Sequence, residues 1–413
     1  MKRLTCLLLS LLLAVGAAAL PVAAEEDTIV VNEDISVSAN YDWTRFKDKG
    51  VKLNVYNWGL YISDGSDESV NVVEAFEQLT GIDVNYTTYD TNESLYAKMK
   101  GGGANYDIIV PSDYMIGKMI AEDMLAPLDY SNIPNAQMIG EQYRHQSYDP
   151  QDAYSVPYTW GVVGIVYNKT MVEEEPDSWN VMWDERYANS ILMFNNSRDA
   201  FAIAARKLGM SMNPKIVEEV NIIAEELKKQ KLLVQAYVMD EIFDKMGGGE
   251  AALAPYYAGD ALVMMEENED LGFVIPKEGT NFFVDALCIP KTSQNKEAAE
   301  MFINFLCEPD VGLANCEFIG YSTPLDSVRE MLPEELANNP IAYPSAEVLA
   351  NTEAFTVLPD EINAAMDAAW SDMKSYDEEG GGWVVPVFLI LALAMTCFNV
   401  WRRRRRKKRR EMY

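Results

Sequence analysis

Between residues 51 and 110, segments with the strand-like alternation of apolar and polar residues are followed by segments with the apolar period of a helix. The predicted elements are the strand Val51 to Trp58, the helix Ser69 to Gly81, the strand Ile82 to Tyr86, the helix Glu93 to Lys100 and the buried strand Asp107 to Val110. This βαβαβ order predicts a parallel sheet with right-handed crossovers.

The alternation continues as far as residue 375. The later predicted strands are Val162 to Tyr167, Ile191 to Phe194 and Phe283 to Ile289, and the later helices are Ala200 to Leu208, Pro214 to Lys229, Lys296 to Leu306 and Asp360 to Ser375. A chain of this length with this pattern is expected to form two α/β lobes with a ligand cleft between them.

Both ends of the chain carry apolar segments next to basic residues. Residues 1–24 predict a secretory signal peptide, with an uncleaved anchor as the alternative. Residues 383–401 contain no charge and would span about 28 Å as a helix, which predicts a transmembrane helix. The linker 377–382 precedes this helix, and the basic tail 402–413 is expected on the cytoplasmic side. The body is therefore expected to be extracytoplasmic.

The charge balance narrows the choice of partners. The chain has 64 acidic and 34 basic residues, and nine of the basic residues lie in the run Arg402 to Arg410. The acidic body repels phosphate, so nucleic acid is excluded as its partner. His145 is the single histidine of the chain, which excludes a metal site with two histidine ligands. No metal, cofactor or catalytic residue is predicted.

The cysteines indicate little cross-linking. Cys6 and Cys397 lie in the hydrophobic ends, so the body holds an odd number of cysteines, Cys288, Cys307 and Cys316. Buried free thiols are the favoured interpretation, and a disulfide between Cys307 and Cys316 stays open.

Four short motifs carry a resemblance to a known family. They are Asn57 to Tyr61, Tyr106 to Tyr114, Val156 to Gly161 and Ile319 to Pro324. In this order they resemble the spermidine/putrescine-binding proteins of ABC transporters, and the likeness covers most of residues 51–375. The resemblance implies a bilobal, type II periplasmic-binding-protein fold of the α/β class that closes on a linear polyamine.

The resemblance also implies where the lobes divide. After an extended leader, 25–50, lobe 1 is expected over 51–157, with 284–322 returning to it. Lobe 2 is expected over 158–283, with helices of 323–376 packing across both lobes. Hinges are expected near Pro157 to Gly161 and Pro276 to Asp285, where the chain crosses.

A polyamine carries ammonium groups joined by methylenes, so its site needs carboxylates and aromatic walls. Trp58, Tyr61, Ser112 and Tyr114 follow predicted strands at their carboxyl ends, where open α/β sheets bind ligands. By resemblance Asp285 is the carboxylate that holds a primary amine. The resemblance completes the candidate ligand-binding set with Asp199, Tyr257, Phe283 and Tyr321.

The sequence departs from the family pattern at several of these places. Leu60 stands where relatives commonly carry glutamate, and Asn196 stands where an aspartate is usual. Tyr257 and Phe283 each stand where tryptophan is common. A site with fewer carboxylates favours a less charged ligand such as putrescine, or binds its ligand more weakly. Which polyamine is preferred stays open.

The predicted function is that of a solute-binding subunit. The chain is expected to act as a monomer that captures putrescine or spermidine and delivers it to the permease and ATPase subunits of an ABC importer, without covalent chemistry. The alternatives are a membrane-tethered sensor for another organic cation and an extracellular enzyme on the same scaffold.

Overall fold

The computed structural model describes residues 27–103 and 105–376. The predicted signal peptide 1–24, linker 377–382, transmembrane helix 383–401 and basic tail 402–413 lie outside these residues. Within the described ranges, no helix combines the length and the apolar character that crossing a membrane requires.

Strands and helices alternate through most of the described chain. The strands are β1 (Thr28–Val30), β2 (Ser36–Ser38), β3 (Lys52–Trp58), β4 (Asp83–Tyr89), β5 (Ile108–Ile109), β6 (Ser155–Asn168), β7 (Ile191–Phe194), β8 (Val234–Val238), β9 (Leu253–Tyr257), β10 (Leu271–Val274), β11 (Thr280–Cys288) and β12 (Thr352–Glu353). The helices are α1 (Val72–Thr80), α2 (Asn92–Lys100), α3 (Asp113–Ala121), α4 (Ser197–Lys207), α5 (Val217–Lys231), α6 (Glu241–Gly247), α7 (Ala258–Glu267), α8 (Lys296–Leu306), α9 (Pro309–Ile319), α10 (Asp326–Met331), α11 (Glu334–Ala337), α12 (Ala346–Leu349) and α13 (Asp360–Ser375).

The main sheet has the strand order β4-β3-β5-β11-β6-β9-β7-β8, and β10 and β12 join it beside β6 and β11. Strand β3 is parallel to both β4 and β5, so the predicted parallel βαβαβ unit is confirmed. Its first helix ends where the sequence predicts, because Gly81 adopts the left-handed conformation with φ 72°.

Two antiparallel strands, β6 and β11, join the halves of this sheet. The first part of β6 pairs with β11, and its later part pairs with β9. Strand β6 begins earlier than the sequence pattern predicts, because Pro157 does not interrupt it. The pairing register shifts between Asp285 and Ala286, opposite Pro157, and such an irregularity tolerates a residue that has no N–H. The segments predicted as hinges lie on these strands or just before β11.

The N-terminal segment and the cysteines belong to the folded body. Strands β1 and β2 form a small hairpin, and the buried Trp43 packs edge-on against Phe305 at 6.0 Å between ring centroids. Cys288 and Cys307 are buried and Cys316 is half-buried, and all three are free, as the favoured interpretation of the sequence has it.

Candidate functional site

The carboxyl ends of β3 and β5 deliver the first group of candidate residues. Trp58 is the last residue of β3, and its Nε1 donates a hydrogen bond of 2.9 Å to the carbonyl of Val110, directly after β5. Its ring lies 4.6 Å from that of Tyr89, at the end of the neighbouring β4. Ser112 precedes α3 and Tyr114 lies in its first turn. The sheet therefore holds these side chains at one edge, as the sequence predicts.

Asp285 lies in β11 opposite Thr159 of β6. Its Oδ2 accepts a hydrogen bond of 2.6 Å from the hydroxyl of Tyr61. Its Oδ1 is buried and has no donor within hydrogen-bond geometry in the described structure, although the nearby Ser112 hydroxyl interacts with the carboxyl group. Burial raises the pKa of Asp285 to about 6, against the opposing influence of the Ser112 and Tyr61 hydroxyls. A buried carboxylate oxygen without a donor is unfavourable, so this atom is suited to a ligand's N–H groups.

Asp199, in helix α4, is a second buried carboxyl group that accepts a hydrogen bond from a tyrosine hydroxyl. It lies in the first turn of α4 and its Oδ2 accepts a hydrogen bond of 2.9 Å from the hydroxyl of Tyr257. Burial raises the pKa of Asp199 to about 7. Asn196 is the N-cap of the same helix, and its side chain accepts a hydrogen bond from the backbone N–H of Arg198. The Asn196 side chain thus caps the N-terminus of α4, and it is not among the residues that line the cleft.

Asp260 forms a third pair of this kind, which the sequence analysis missed. It lies in the first turn of α7, and its Oδ2 accepts a hydrogen bond of 2.9 Å from the hydroxyl of Tyr321. Burial raises the pKa of Asp260 to about 8. No regular period in the sequence relates it to Tyr257, because Tyr257 ends β9 and α7 begins at the next residue.

Aromatic rings connect the three carboxylates. Phe283 meets Tyr257 at 5.5 Å and Tyr321 at 6.3 Å between ring centroids, in both cases edge to face. Tyr61 meets Tyr321 in the same manner at 4.8 Å. Rings in these positions form an apolar wall with π-faces, which suits methylene chains and cations.

All nine candidate residues line one cleft, with about 670 Å³ of space free of protein atoms. The described lining residues include five aspartates and neither lysine nor arginine. Two of these aspartates, Asp90 and Asp240, are exposed residues. Partial desolvation of the Asp240 carboxyl group and the nearby charge of Asp90 raise the pKa of Asp240. Leu60 also lines the cleft and is exposed. A cleft lined by aspartates, without lysine or arginine among its described lining residues, favours cations over anions.

Comparison with known proteins decides the family. Residues 104–352 match the family model described as bacterial extracellular solute-binding protein. The chain is 38% identical over 304 residues to the spermidine/putrescine-binding periplasmic protein of Salmonella typhimurium, covering 73% of this chain and 85% of that one. The chain belongs to the bacterial extracellular solute-binding proteins.

A more distant relative and a solved structure support the same family assignment. The putrescine-binding periplasmic protein of Pseudomonas aeruginosa is 28% identical over 342 residues, which cover 78% of this chain and 92% of that one. A putative spermidine/putrescine ABC transporter structure from Listeria monocytogenes superposes with a TM-score of 0.75 at 36% identity, covering 79% and 99% of the two chains. The predicted resemblance and the α/β periplasmic-binding-protein fold are thereby confirmed.

In this solute-binding protein the cleft draws on both halves of the sheet. Trp58, Tyr61 and Tyr114 come from the half around β3, and Asp199 and Tyr257 come from the half around β7 and β9. Among the described residues, no three or more His, Cys, Asp or Glu side chains are arranged so that they could hold a metal ion. The described cleft combines carboxyl groups with aromatic rings.

Proposed function

We propose that this solute-binding protein captures a polyamine and hands it to the membrane subunits of an ABC importer. The observation that carries the proposal is the buried, unpartnered Oδ1 of Asp285 in a cleft lined by aspartates and aromatic rings. Relatives whose names state spermidine and putrescine binding support the choice of ligand.

The ammonium groups and the methylene chain of a polyamine each match a group of side chains in the cleft. One ammonium group donates hydrogen bonds to Asp285 Oδ1, and a second ammonium group is held by Asp199 or Asp260. The methylene chain packs on Phe283 and its neighbouring rings, at about 0.8 kcal/mol for each buried CH₂. No bond to the ligand forms or breaks in this role.

Capture proceeds by closure of two lobes. We assign 51–157 with 284–322 to lobe 1 and 158–283 to lobe 2, with 323–376 packing across them. Strands β6 and β11 cross between the lobes and serve as the hinge. A ligand bound to one lobe populates the closed state in proportion to its additional contacts with the other lobe.

The proposed location is the extracytoplasmic face of the membrane. A signal peptide over residues 1–24 would direct secretion of the body, and a transmembrane segment over residues 383–401 would tether it. Relatives named as periplasmic proteins support this side of the membrane. Membrane fractionation of the full chain and of a variant that ends at residue 376 tests the tether. The full chain is expected with membranes and the shortened chain in the soluble fraction.

Calorimetry of the purified full chain with putrescine, spermidine and spermine tests the function, with lysine and choline as comparison ligands. One polyamine is expected to bind and to be recovered chemically unchanged. Asp285→Asn is expected to weaken binding about a hundredfold, because it removes the charge partner of a buried ammonium group. Asp83→Asn is the control, because Asp83 is exposed and pairs with Lys52 at the other end of β4. Equal affinity of Asp285→Asn and the parent would refute the site.

A further inference from the structure

A second cavity, with about 770 Å³ of space free of protein atoms, lies beside the ligand cleft. Helices α2, α3, α4 and α13 contribute to its walls, together with Val357 and Leu358 of the segment before α13. Four of its lining residues are charged: Glu93, Lys118, Arg198 and Asp367. None of these four was singled out in the sequence analysis.

An aromatic wall separates the two cavities. Tyr114 lines both of them, and Phe355, which meets Tyr114 edge to face at 5.7 Å, lines the cleft. The guanidinium of Arg198 lies 4.6 Å from the ring centroid of Phe355 and 5.3 Å from that of Tyr114. The second cavity is therefore adjacent to the cleft and has its own set of polar groups.

Arg198 lines this cavity and has a hydrogen-bond donor without an acceptor in the described structure. Its side chain is 4% exposed, and its Nη2 donates hydrogen bonds to Asn213 Oδ1 at 2.7 Å and to the Thr356 carbonyl at 3.0 Å. Its Nε is buried and has no acceptor among the residues described. A buried guanidinium N–H without an acceptor is costly, and a carboxylate is the group that best matches it.

Lys118 adds a second positive charge. Its Nζ lies 4.2 Å from the ring centroid of Tyr96, and no carboxylate in the described part of the chain lies within 4.0 Å of it. Glu93 contributes a carboxyl group, whose Oε1 accepts a hydrogen bond of 2.8 Å from the Tyr114 hydroxyl. Asp367, in α13, provides the second carboxylate. The cavity thus brings two basic and two acidic side chains together.

We propose that this second cavity binds a small zwitterion, a molecule with one carboxylate and one ammonium group such as a short amino acid. The carboxylate accepts hydrogen bonds from Arg198 Nε and Lys118, and the ammonium group donates to Glu93 and Asp367. A lone cation is disfavoured by the two basic side chains, and a lone anion by the two acidic ones. The cleft, with aspartates as its only charged described lining residues, selects a different class of ligand.

Calorimetry of the purified full chain tests the proposal with glycine and β-alanine as zwitterions, and with acetate and methylammonium as ligands of single charge. The zwitterions are expected to bind at least about tenfold more tightly than either ion, since each charged hydrogen bond contributes separately. Lys118→Met is expected to weaken zwitterion binding about tenfold, and Arg198→Met to abolish it. Lys100→Met is the control, because Lys100 pairs with Glu122 outside both cavities.

Asp285→Asn separates the second cavity from the cleft. Zwitterion binding is expected to survive in this variant even though polyamine binding is weakened about a hundredfold. The proposal is overturned if neither zwitterion binds, if Lys118→Met binds them as the parent does, or if Asp285→Asn abolishes their binding. Lys118→Met decides the question when Arg198→Met does not fold, because Lys118 is only partly buried.

Discussion

The hydroxyl of Tyr61 donates a hydrogen bond of 2.6 Å to one oxygen of Asp285, while the other oxygen of that carboxylate is buried without a donor in the described structure. The pairs of Tyr257 with Asp199 and of Tyr321 with Asp260 show the same relationship of hydroxyl to carboxylate. Each hydroxyl orients its carboxyl group without supplying a positive charge. In the proposed function, an ammonium group of the ligand supplies that charge.

Tyr61→Phe is expected to weaken polyamine binding about tenfold or more, as measured by calorimetry. The change removes the hydroxyl that favours the ionised form of Asp285, so the pKa of this carboxyl rises further and less of the site is charged. The ring and its packing against Tyr321 are retained. Tyr130→Phe is the control, because the Tyr130 hydroxyl bonds the Ser155 carbonyl outside the cleft. Unchanged affinity of Tyr61→Phe would show that the hydroxyl does not orient the charge.

Polyamine binding is expected to strengthen as the pH rises from 5 to 8. Burial raises the pKa of Asp285 to about 6, of Asp199 to about 7 and of Asp260 to about 8, so the empty cleft is partly protonated in this range. An ammonium group needs ionised carboxylates, and its binding therefore releases protons. Calorimetry in buffers of different ionisation enthalpy measures this release. A heat of binding that does not depend on the buffer would contradict the coupling.

The stability of the ligand-free protein is expected to change in the opposite direction. The three carboxyls bind protons more tightly in the folded state than in the unfolded state, because their folded pKa values are raised. Their stabilising contribution is complete below about pH 4 and is lost as the pH rises to about 8. Thermal unfolding is therefore expected to show a larger increase in Tm on adding polyamine at pH 8 than at pH 5. An equal increase at both values would speak against buried carboxylates in the cleft.

The sequence pattern predicts those parts of the fold whose period is regular. Helices α8 and α13 have the predicted bounds. Trp58 and Ser112 meet in the cleft because the carboxyl ends of the parallel strands β3 and β5 share an edge, whereas Phe283 and Asp285 reach it from the antiparallel strand β11. Strand β9 was not predicted, since Pro255 lies within it opposite Ile165. Because proline has no N–H to donate, its presence in a sequence argues against a strand. Here the pairing with β6 makes the segment a strand despite Pro255.

Asp260 shows why part of the site escapes prediction. The residue becomes a site carboxylate only because α7 begins directly after β9, which turns it toward Tyr321. Neither the strand nor the start of the helix has a strong period in the sequence. The position of this carboxylate is thus set by tertiary packing and not by a local motif.

Leu60→Glu is expected to tighten spermidine binding more than putrescine binding. Leu60 lines the cleft and is 53% exposed, so a carboxylate there would face solvent and the end of a longer ligand. The backbone has φ 48° at this position, and leucine and glutamate tolerate that conformation equally poorly, so the exchange adds charge without new strain. Calorimetry with both polyamines, and Leu60→Gln as the uncharged control, measures the change. A gain that is the same for both ligands, or that Leu60→Gln reproduces, would contradict a role for charge.

Gly259→Ala is expected to weaken polyamine binding about tenfold, because Gly259 packs against the ring of Tyr321. A Cβ at this position would lie 2.3 Å from Cδ2 of that ring, so the ring must move and its hydroxyl loses the geometry of its hydrogen bond to Asp260. Gly247→Ala is the control, since a Cβ at Gly247, the last residue of α6, meets no atom within 4 Å. Calorimetry and thermal unfolding of both variants separate lost binding from lost stability. If Gly259→Ala binds as tightly as the parent, the pair formed by Tyr321 and Asp260 does not contribute to ligand affinity.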